Sequence, residues 1–249
     1  VVYIGYILFK AVTDPESCPA MPMTAEEKKG LPREIFVALV PPLMLIIAVL
    51  GSILGGIATP TEAASVGAVG ATILAALRGR LRPSIVLDTV RSTAKITAMV
   101  FIILFGASVF SVVFRQMGGD DLVHEFLTGI PGGALGAMIA VMVVMFVLGF
   151  ILDTFEIIFI VLPITAPTLL LLGVDPIWLG VMVGVNLQTS FLTPPFGFAL
   201  FYLRGVAPGS VSTGTIYRGA IPFVLLQIVA IVILFVFPGL VTWLPSVLY

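Results

Sequence analysis

Two short stretches of the sequence combine oxygen-bearing side chains with helix breakers inside sequence that is otherwise apolar enough for lipid. Their residues are Asp153, Thr154 and Glu156 in the first stretch, and Thr193, Pro194, Pro195 and Gly197 in the second. Carboxylate, hydroxyl and carbonyl oxygens are the ligands that a hard cation binds. Broken backbone inside a bilayer must be buried in protein or line a cavity. Paired breaks of this kind therefore indicate the binding site of a membrane transporter.

The first stretch separates two apolar segments, at 134–152 and 155–172. We interpret it as the tip of a hairpin inside the protein, where backbone carbonyls and the Thr154 hydroxyl meet a cation. Two alternatives are an exposed loop between ordinary spans and an enzyme that uses Asp153 and Glu156 as an acid–base pair on one helix face. Glu156 can also serve as a negative charge at a helix N-terminus, where the helix dipole stabilises it.

The second stretch interrupts an apolar segment at about its middle. Proline has no amide hydrogen and blocks the hydrogen bond one turn back, so Pro194 and Pro195 free backbone carbonyls. A residue before proline also avoids helical angles, which applies to Thr193. We expect the uncharged oxygen carriers upstream to line the path of an ion or substrate, namely Asn186, Gln188 and Thr189. A plain proline kink, or a half-helix whose N-terminus faces an anion, explains the same break.

A third break follows the first full apolar span, at Thr59, Pro60, Thr61 and Glu62. Either threonine can cap the helix that follows, and the Glu62 carboxylate suits the positive end of that helix. The motif is therefore a capped turn, a hinge, or both.

The elements that position these breaks follow from composition. The chain has 249 residues, of which 59% are hydrophobic and 10% are charged, and its mean hydropathy is +1.21. A soluble domain carries about 25% charged residues, so we predict an all-α polytopic membrane protein. Its first full span is predicted at 35–58 and its last span at 220–244, with an amphipathic interfacial helix at 83–95. A net charge of −1 argues against nucleic-acid binding. One cysteine (Cys18) excludes an intramolecular disulfide, and one histidine (His124) excludes a histidine-pair metal site.

Four motifs give the chain a family resemblance. They lie at 56–64, 148–153, 173–176 and 186–197. In this order they resemble the large membrane subunit of tripartite ATP-independent periplasmic (TRAP) transporters, and the resemblance covers essentially the whole chain. The residues at 155–157 and 191–204 look like the subgroup often labelled for mannitol or chloroaromatic compounds.

The resemblance implies a secondary transporter in the inner membrane of a bacterium. Its fold would be an elevator of the ion-transporter superfamily, built from inverted repeats with a re-entrant hairpin and an unwound transmembrane helix. The partners implied are a small membrane subunit and a periplasmic binding protein that delivers an organic acid. Sodium is the coupling ion implied, with no other cofactor and no enzymatic activity. A related anion symporter that needs no binding protein is the alternative.

The resemblance also assigns roles and boundaries. The ion-binding residues would be Asp153, Thr154, Thr193, Pro194 and Gly197; the substrate path Asn186, Gln188, Thr189 and Glu156; and the hinge Thr59, Pro60, Thr61, Glu62 and Pro195. The predicted organisation is the end of a preceding helix and a cytoplasmic connector (1–34), scaffold helices with interfacial helices (35–133), a transport-domain hairpin (134–172) with a discontinuous helix (177–203), and a connector with a last span (206–249). The chain looks like the C-terminal half of such a subunit, so we expect it not to transport alone.

Overall fold

The computed structural model describes residues 2–17, 25–194, 197–209 and 211–248, and every regular element among them is helical. The helices are α1 (Val2–Thr13), α2 (Ala25–Leu54), α3 (Pro60–Leu77), α4 (Pro83–Gln116), α5 (Gly119–Thr128), α6 (Gly133–Leu148), α7 (Thr154–Glu156), α8 (Leu162–Leu171), α9 (Pro176–Leu192), α10 (Phe198–Val206), α11 (Thr213–Val236) and α12 (Gly239–Leu248). A 3₁₀ turn (Pro15–Ser17) follows α1, and a π-helical segment (Ile157–Val161) joins α7 to α8.

The lengths and compositions of these helices agree with a multi-pass membrane protein. Within the described ranges, five helical segments are long and apolar enough to cross a membrane. The number rises to six if α5 and α6, which meet at an angle of 118°, count as one broken span. The predicted all-α class is confirmed for the described part of the chain.

The chain divides into two compact units, residues 6–95 and residues 96–249 with 1–5. In the first unit α3 packs on α2 through small residues. A Cβ on Gly67 would lie 3.3 Å from Val49 Cγ2, and a Cβ on Gly70 would overlap the Leu45 side chain. Glycine at these positions lets the two helices approach closely, as the small-residue content of this segment predicts.

The start of α3 has the predicted cap. Thr59 is the N-cap residue with extended backbone, and Pro60 follows as the first helical residue. Glu62 Oε2 accepts hydrogen bonds from the Thr59 amide and hydroxyl, both at 2.8 Å. This reciprocal capping box satisfies amides that the first helical turn leaves without partners. A hinge at this motif stays a prediction.

Three predicted boundaries are wrong. The segment at 83–95 is not a separate interfacial helix, because α4 runs unbroken through it and contains no proline after its first residue. The first span was expected at 35–58, but α2 ends at Leu54, and its part that could cross a membrane is Gly30–Leu54. The last span was expected to run through 220–244, but Pro238 ends it and α12 follows.

In the second unit the core lies between α6 and α9, with α8 and α5 against it. Methionines at 138, 145 and 182 are fully buried there. Met has three rotatable bonds and fills irregular gaps between helices. Trp178 of α9 fixes the contact to α11, since its indole Nε1 donates to the Leu234 carbonyl at 2.9 Å and its ring packs on Phe235 with centroids 5.5 Å apart.

Candidate functional site

The first break forms a tight turn between α6 and α7. Asp153 is the N-cap of α7, and its Oδ1 accepts from the Thr154 amide at 2.7 Å. The Glu156 Oε2 accepts from the Asp153 amide at 3.2 Å. Both carboxylates therefore satisfy backbone amides at the start of the second arm, as a capping box does. This arrangement gives each acid a structural role in the turn.

Thr154 differs from its acidic neighbours. Its hydroxyl is buried and is the one buried side-chain oxygen or nitrogen, among the described residues, that has no hydrogen-bond partner. A buried polar group without a partner costs about 1–3 kcal/mol. Thr154 lines a cavity of about 520 Å³, together with Gln188 and Leu192 of α9 and Ala199 of α10. The cavity thus joins the turn at Thr154 to both sides of the second break.

The arm after the tip contains an unusual turn. The Leu162 amide donates to the Ile157 carbonyl five residues back, which is the π-helical pattern. Pro163 contributes to this irregularity, because it has no amide to give the Phe159 carbonyl its usual α-helical bond. Such π-helical turns occur often at functional sites. Ile158 and Leu162 of this turn line the same cavity as Thr154.

At the second break, Thr193 compensates locally for the proline that follows. Its backbone is extended (φ −90°, ψ 123°), as expected before Pro194. The Thr193 amide donates to the Ser190 carbonyl at 3.1 Å, a carbonyl to which Pro194 cannot donate. The Thr193 hydroxyl donates to the Thr189 carbonyl at 2.8 Å. The threonine side chain thus replaces part of the helical ladder where α9 ends.

Gly197 lies directly against the backbone of the break. It is buried, and a Cβ on it would come 2.5 Å from the Phe191 carbonyl oxygen and 3.1 Å from that of Thr193. Only a residue without a side chain permits this approach. Pro194 is half-buried at the same break, whereas the predicted hinge residue Pro195 lies outside the described residues.

The polar residues of α9 point in two directions. Gln188 lines the cavity that contains Thr154, whereas Asn186 and Thr189 line a second, mostly apolar cavity of about 350 Å³ between α6, α9 and α11. Successive residues of a helix are ~100° apart around its axis. Asn186 and Thr189 are three residues apart and therefore share a face, whereas Gln188 lies on a different face. Glu156 lines neither cavity. The structure therefore does not bring the four predicted path residues together.

The second cavity also contains a polar contact that the sequence did not reveal. Asn186 Nδ2 donates to the Met142 carbonyl at 2.8 Å. The Thr189 hydroxyl lies 2.8 Å from the Val185 carbonyl and 3.3 Å from Gln227 Oε1 of α11. Gln227 is buried and is the single amide side chain in the apolar part of α11, which is the signal that identifies it.

The C-terminal end of α6 approaches α9 closely at Gly149. A Cβ there would lie 2.7 Å from Ser190 Cβ and would overlap the Ser190 hydroxyl, which is fully buried. We predict that Gly149→Ala lowers the free energy of unfolding by about 1–3 kcal/mol, the usual cost of overpacking a closed core.

The measurement is reversible unfolding in detergent, followed by circular dichroism. Gly219→Ala on α11 is the matched control, because a Cβ there meets nothing within 4 Å. Equal stability of the Gly149 and Gly219 variants would contradict the close contact.

These features define a multi-pass helical membrane protein whose polar groups gather at two interruptions of apolar helices. Comparison with known families gives the narrower assignment. Residues 1–240 match the family described as "Tripartite ATP-independent periplasmic transporter, DctM component", so the chain belongs to that family. The family is a transporter permease and not an enzyme. This excludes the alternative hypothesis that Asp153 and Glu156 are the acid–base pair of an enzyme.

Curated relatives agree with this assignment. The chain is 29% identical over 227 residues to the C4-dicarboxylate TRAP transporter large permease protein of Vibrio cholerae, covering 83% of the chain and 50% of the relative. It is 30% identical over 223 residues to the sialic acid TRAP transporter large permease protein of the same organism, covering 89% and 50%. For the sialic acid TRAP transporter permease protein of Haemophilus influenzae the values are 26% over 244 residues, covering 92% and 39%. The chain spans about half the length of the curated relatives it matches, or less.

Proposed function

We propose that the chain is the C-terminal half of a TRAP large permease subunit, and that the complete transporter takes up an organic acid together with sodium. Family membership supports the transporter class. The proposal of sodium coupling rests mainly on the buried Thr154 hydroxyl, which has no partner among the described residues and belongs to a residue that lines a cavity. A cation in that cavity would supply the missing interaction.

The oxygen atoms at the two breaks suit sodium better than a transition metal. No group of three or more His, Cys, Asp or Glu side chains is close enough to hold a metal ion in the described part of the chain. Carbonyl, hydroxyl and amide oxygens remain, and these bind hard cations without adding a buried charge. In this proposal Thr154 contributes its hydroxyl, Gln188 its amide oxygen, and Thr193 and Pro194 their carbonyls. Asp153 holds the tip in place, and Gly197, which has no side chain, allows the carbonyls to approach the ion.

We also propose that α6 and α8 form a re-entrant hairpin of an elevator-type transport domain. Helix α6 has 16 residues. At ~1.5 Å per residue it extends ~24 Å, which is less than the ~30 Å of a bilayer core. A turn that contains two carboxylates can then lie inside the protein, where their hydrogen bonds to backbone amides compensate for the lost water.

The partners in this proposal are a small membrane subunit and a periplasmic binding protein, which the tripartite family name implies. The transporter would lie in the bacterial inner membrane. Relatives carry names for C4-dicarboxylates, sialic acid and isethionate, all of them organic acids. We therefore propose an organic anion as substrate. From the sequence motifs at 155–157 and 191–204 we also propose that the chain falls in the subgroup often labelled for mannitol or chloroaromatic compounds, a label that does not define its substrate.

Sodium coupling can be tested in liposomes that contain the complete permease with its small subunit and binding protein. A radiolabelled organic acid should enter when an inward sodium gradient is present. We predict that replacement of external sodium by choline lowers the initial rate at least tenfold. A protonophore should leave the sodium-driven rate unchanged, and an equal rate in choline would contradict the coupling. Uptake without the binding protein would favour the binding-protein-independent symporter.

A further inference from the structure

A basic cavity lies in the first unit, far along the sequence from the proposed transport site. Its volume is about 560 Å³. It is lined by Gly30, Arg33, Glu34, Val37 and Ala38 of α2 and by Arg78 and Arg80, which follow α3. Three guanidinium groups and one carboxylate give it a formal charge of +2. In the described part of the chain, no ion pair involves any of the three arginines.

One of these arginines is held in place by an interrupted helix. Pro41 lies inside α2 and cannot donate to the Val37 carbonyl, four residues earlier. Arg78 Nη2 donates to that carbonyl instead, at 2.5 Å. Pro42 removes the helical donor of the neighbouring Ala38 carbonyl in the same way. The prolines thus explain why an arginine at the end of α3 is fixed against the side of α2.

The surroundings of the cavity are those of a membrane surface. Large apolar side chains beside it are exposed on both helices, including Phe36 (64%), Leu39 (53%) and Leu77 (79%). Arg78, Arg80 and Arg82 follow the end of α3, and Arg33 precedes the apolar part of α2. Under the positive-inside rule, this clustering assigns the cavity to the cytoplasmic interface. A molecule that bound there would meet guanidinium groups and apolar helix faces together.

We propose that this cavity binds the phosphate headgroup of an anionic phospholipid from the cytoplasmic leaflet. Arginine binds phosphate oxygens through two parallel hydrogen bonds, which gives it more geometric specificity than a lysine has. Basic pockets between helices on this side of a membrane are known headgroup sites. The fixed guanidinium of Arg78 would orient the phosphate, Arg33 and Arg80 would complete its coordination, and the acyl chains would follow the apolar faces of α2 and α3.

The test measures lipid binding to the complete permease subunit, purified in detergent, by native mass spectrometry. Phosphatidylglycerol and phosphatidylcholine with the same acyl chains are the probes. We expect at least tenfold tighter binding of phosphatidylglycerol, and we expect Arg80→Gln to weaken it about fivefold, the effect of one arginine near an anionic surface. Arg33→Gln should act similarly. Arg78 is left unchanged because it supports the interrupted turn of α2.

Arg82→Gln is the matched control, since it removes the same charge two residues away from Arg80 but outside the cavity lining. It should leave the affinity for phosphatidylglycerol unchanged. Equal affinities for the two lipids would overturn the proposal, as would equal losses in the Arg80 and Arg82 variants. Inorganic phosphate that bound the cavity as tightly as phosphatidylglycerol would also overturn it, because the site would then select a free anion and not a lipid. None of these outcomes depends on sodium-coupled uptake.

Discussion

Gly197→Ala is expected to lower uptake by the complete transporter at least tenfold, while Gly205→Ala leaves the rate close to that of the parent. The reason is steric. A Cβ at position 197 would lie 2.5 Å from the Phe191 carbonyl oxygen and 3.1 Å from the Thr193 oxygen. Both neighbours are backbone atoms, which cannot move aside as a side-chain end can. Overpacking of this kind costs about 1–3 kcal/mol, and relief of it here requires the break after α9 to open.

Gly205 is the matched control, because it belongs to the helix that begins after Gly197 and a Cβ there meets nothing within 4 Å. Uptake should be measured as an initial rate in liposomes, with the amount of folded permease checked by size-exclusion chromatography. The Gly197 variant should remain in the membrane, since the core between α6 and α9 is intact. If it transported at the parent rate, the carbonyls at this break would have no part in transport.

The sequence was sufficient for those features of the fold that depend on local chemistry. Prolines and caps mark several helix boundaries. Thr59 with Glu62 starts α3, Asp175 with Pro176 starts α9, and Pro194 after Thr193 ends it. Each of these signals acts within one helical turn, so a single sequence contains all of it. The separate helix predicted at 83–95 was wrong because its boundary was inferred from composition and not from a proline or a cap. A change from polar to apolar composition does not by itself interrupt a helix.

Features that depend on distant residues were not predictable in this way. Gln227 meets Thr189 across 38 positions, and Arg78 reaches the Val37 carbonyl across 41. The side chain that restricts Gly149 belongs to Ser190 of another helix. No local pattern specifies such pairs, because they exist only after the helices have packed. Helical geometry alone predicts that Gln188 and Asn186 lie on opposite faces of α9. It does not predict which helix each side chain contacts.

Thr154 differs from the other polar residues of the site in its lack of a hydrogen-bond partner among the described residues. Asp153 and Glu156 bind amides at the tip, and Thr193 binds the Thr189 carbonyl. Asn186 and Ser190 also have backbone partners. These bonds are explained by the fold alone. The buried Thr154 hydroxyl has no such explanation among the described residues, so the proposal of an ion ligand depends most directly on this oxygen.

Thr154→Val is therefore expected to impair sodium-dependent transport without lowering the stability of the protein. Valine has nearly the shape of threonine, so the substitution removes the hydroxyl and keeps the packing. Loss of an unsatisfied buried group should leave the free energy of unfolding unchanged or raise it by about 1 kcal/mol. Contacts of a hydroxyl with a charged group are worth about 1.5–3 kcal/mol. Their loss should raise the sodium concentration for half-maximal uptake roughly tenfold or more, at ~1.4 kcal/mol per factor of ten.

Two further variants make the result specific to the hydroxyl at this position. Thr154→Ser keeps the oxygen and should retain most of the sodium affinity. Thr165→Val removes a hydroxyl from the same hairpin arm, where it donates to the Val161 carbonyl at 2.9 Å, and should leave sodium affinity unchanged. If Thr154→Val and Thr165→Val had equal sodium affinities, the hydroxyl at the tip would not be an ion ligand. A loss of stability in Thr154→Val would instead mean that the oxygen has a partner in the folded protein, since only a satisfied group stabilises the fold when it is buried.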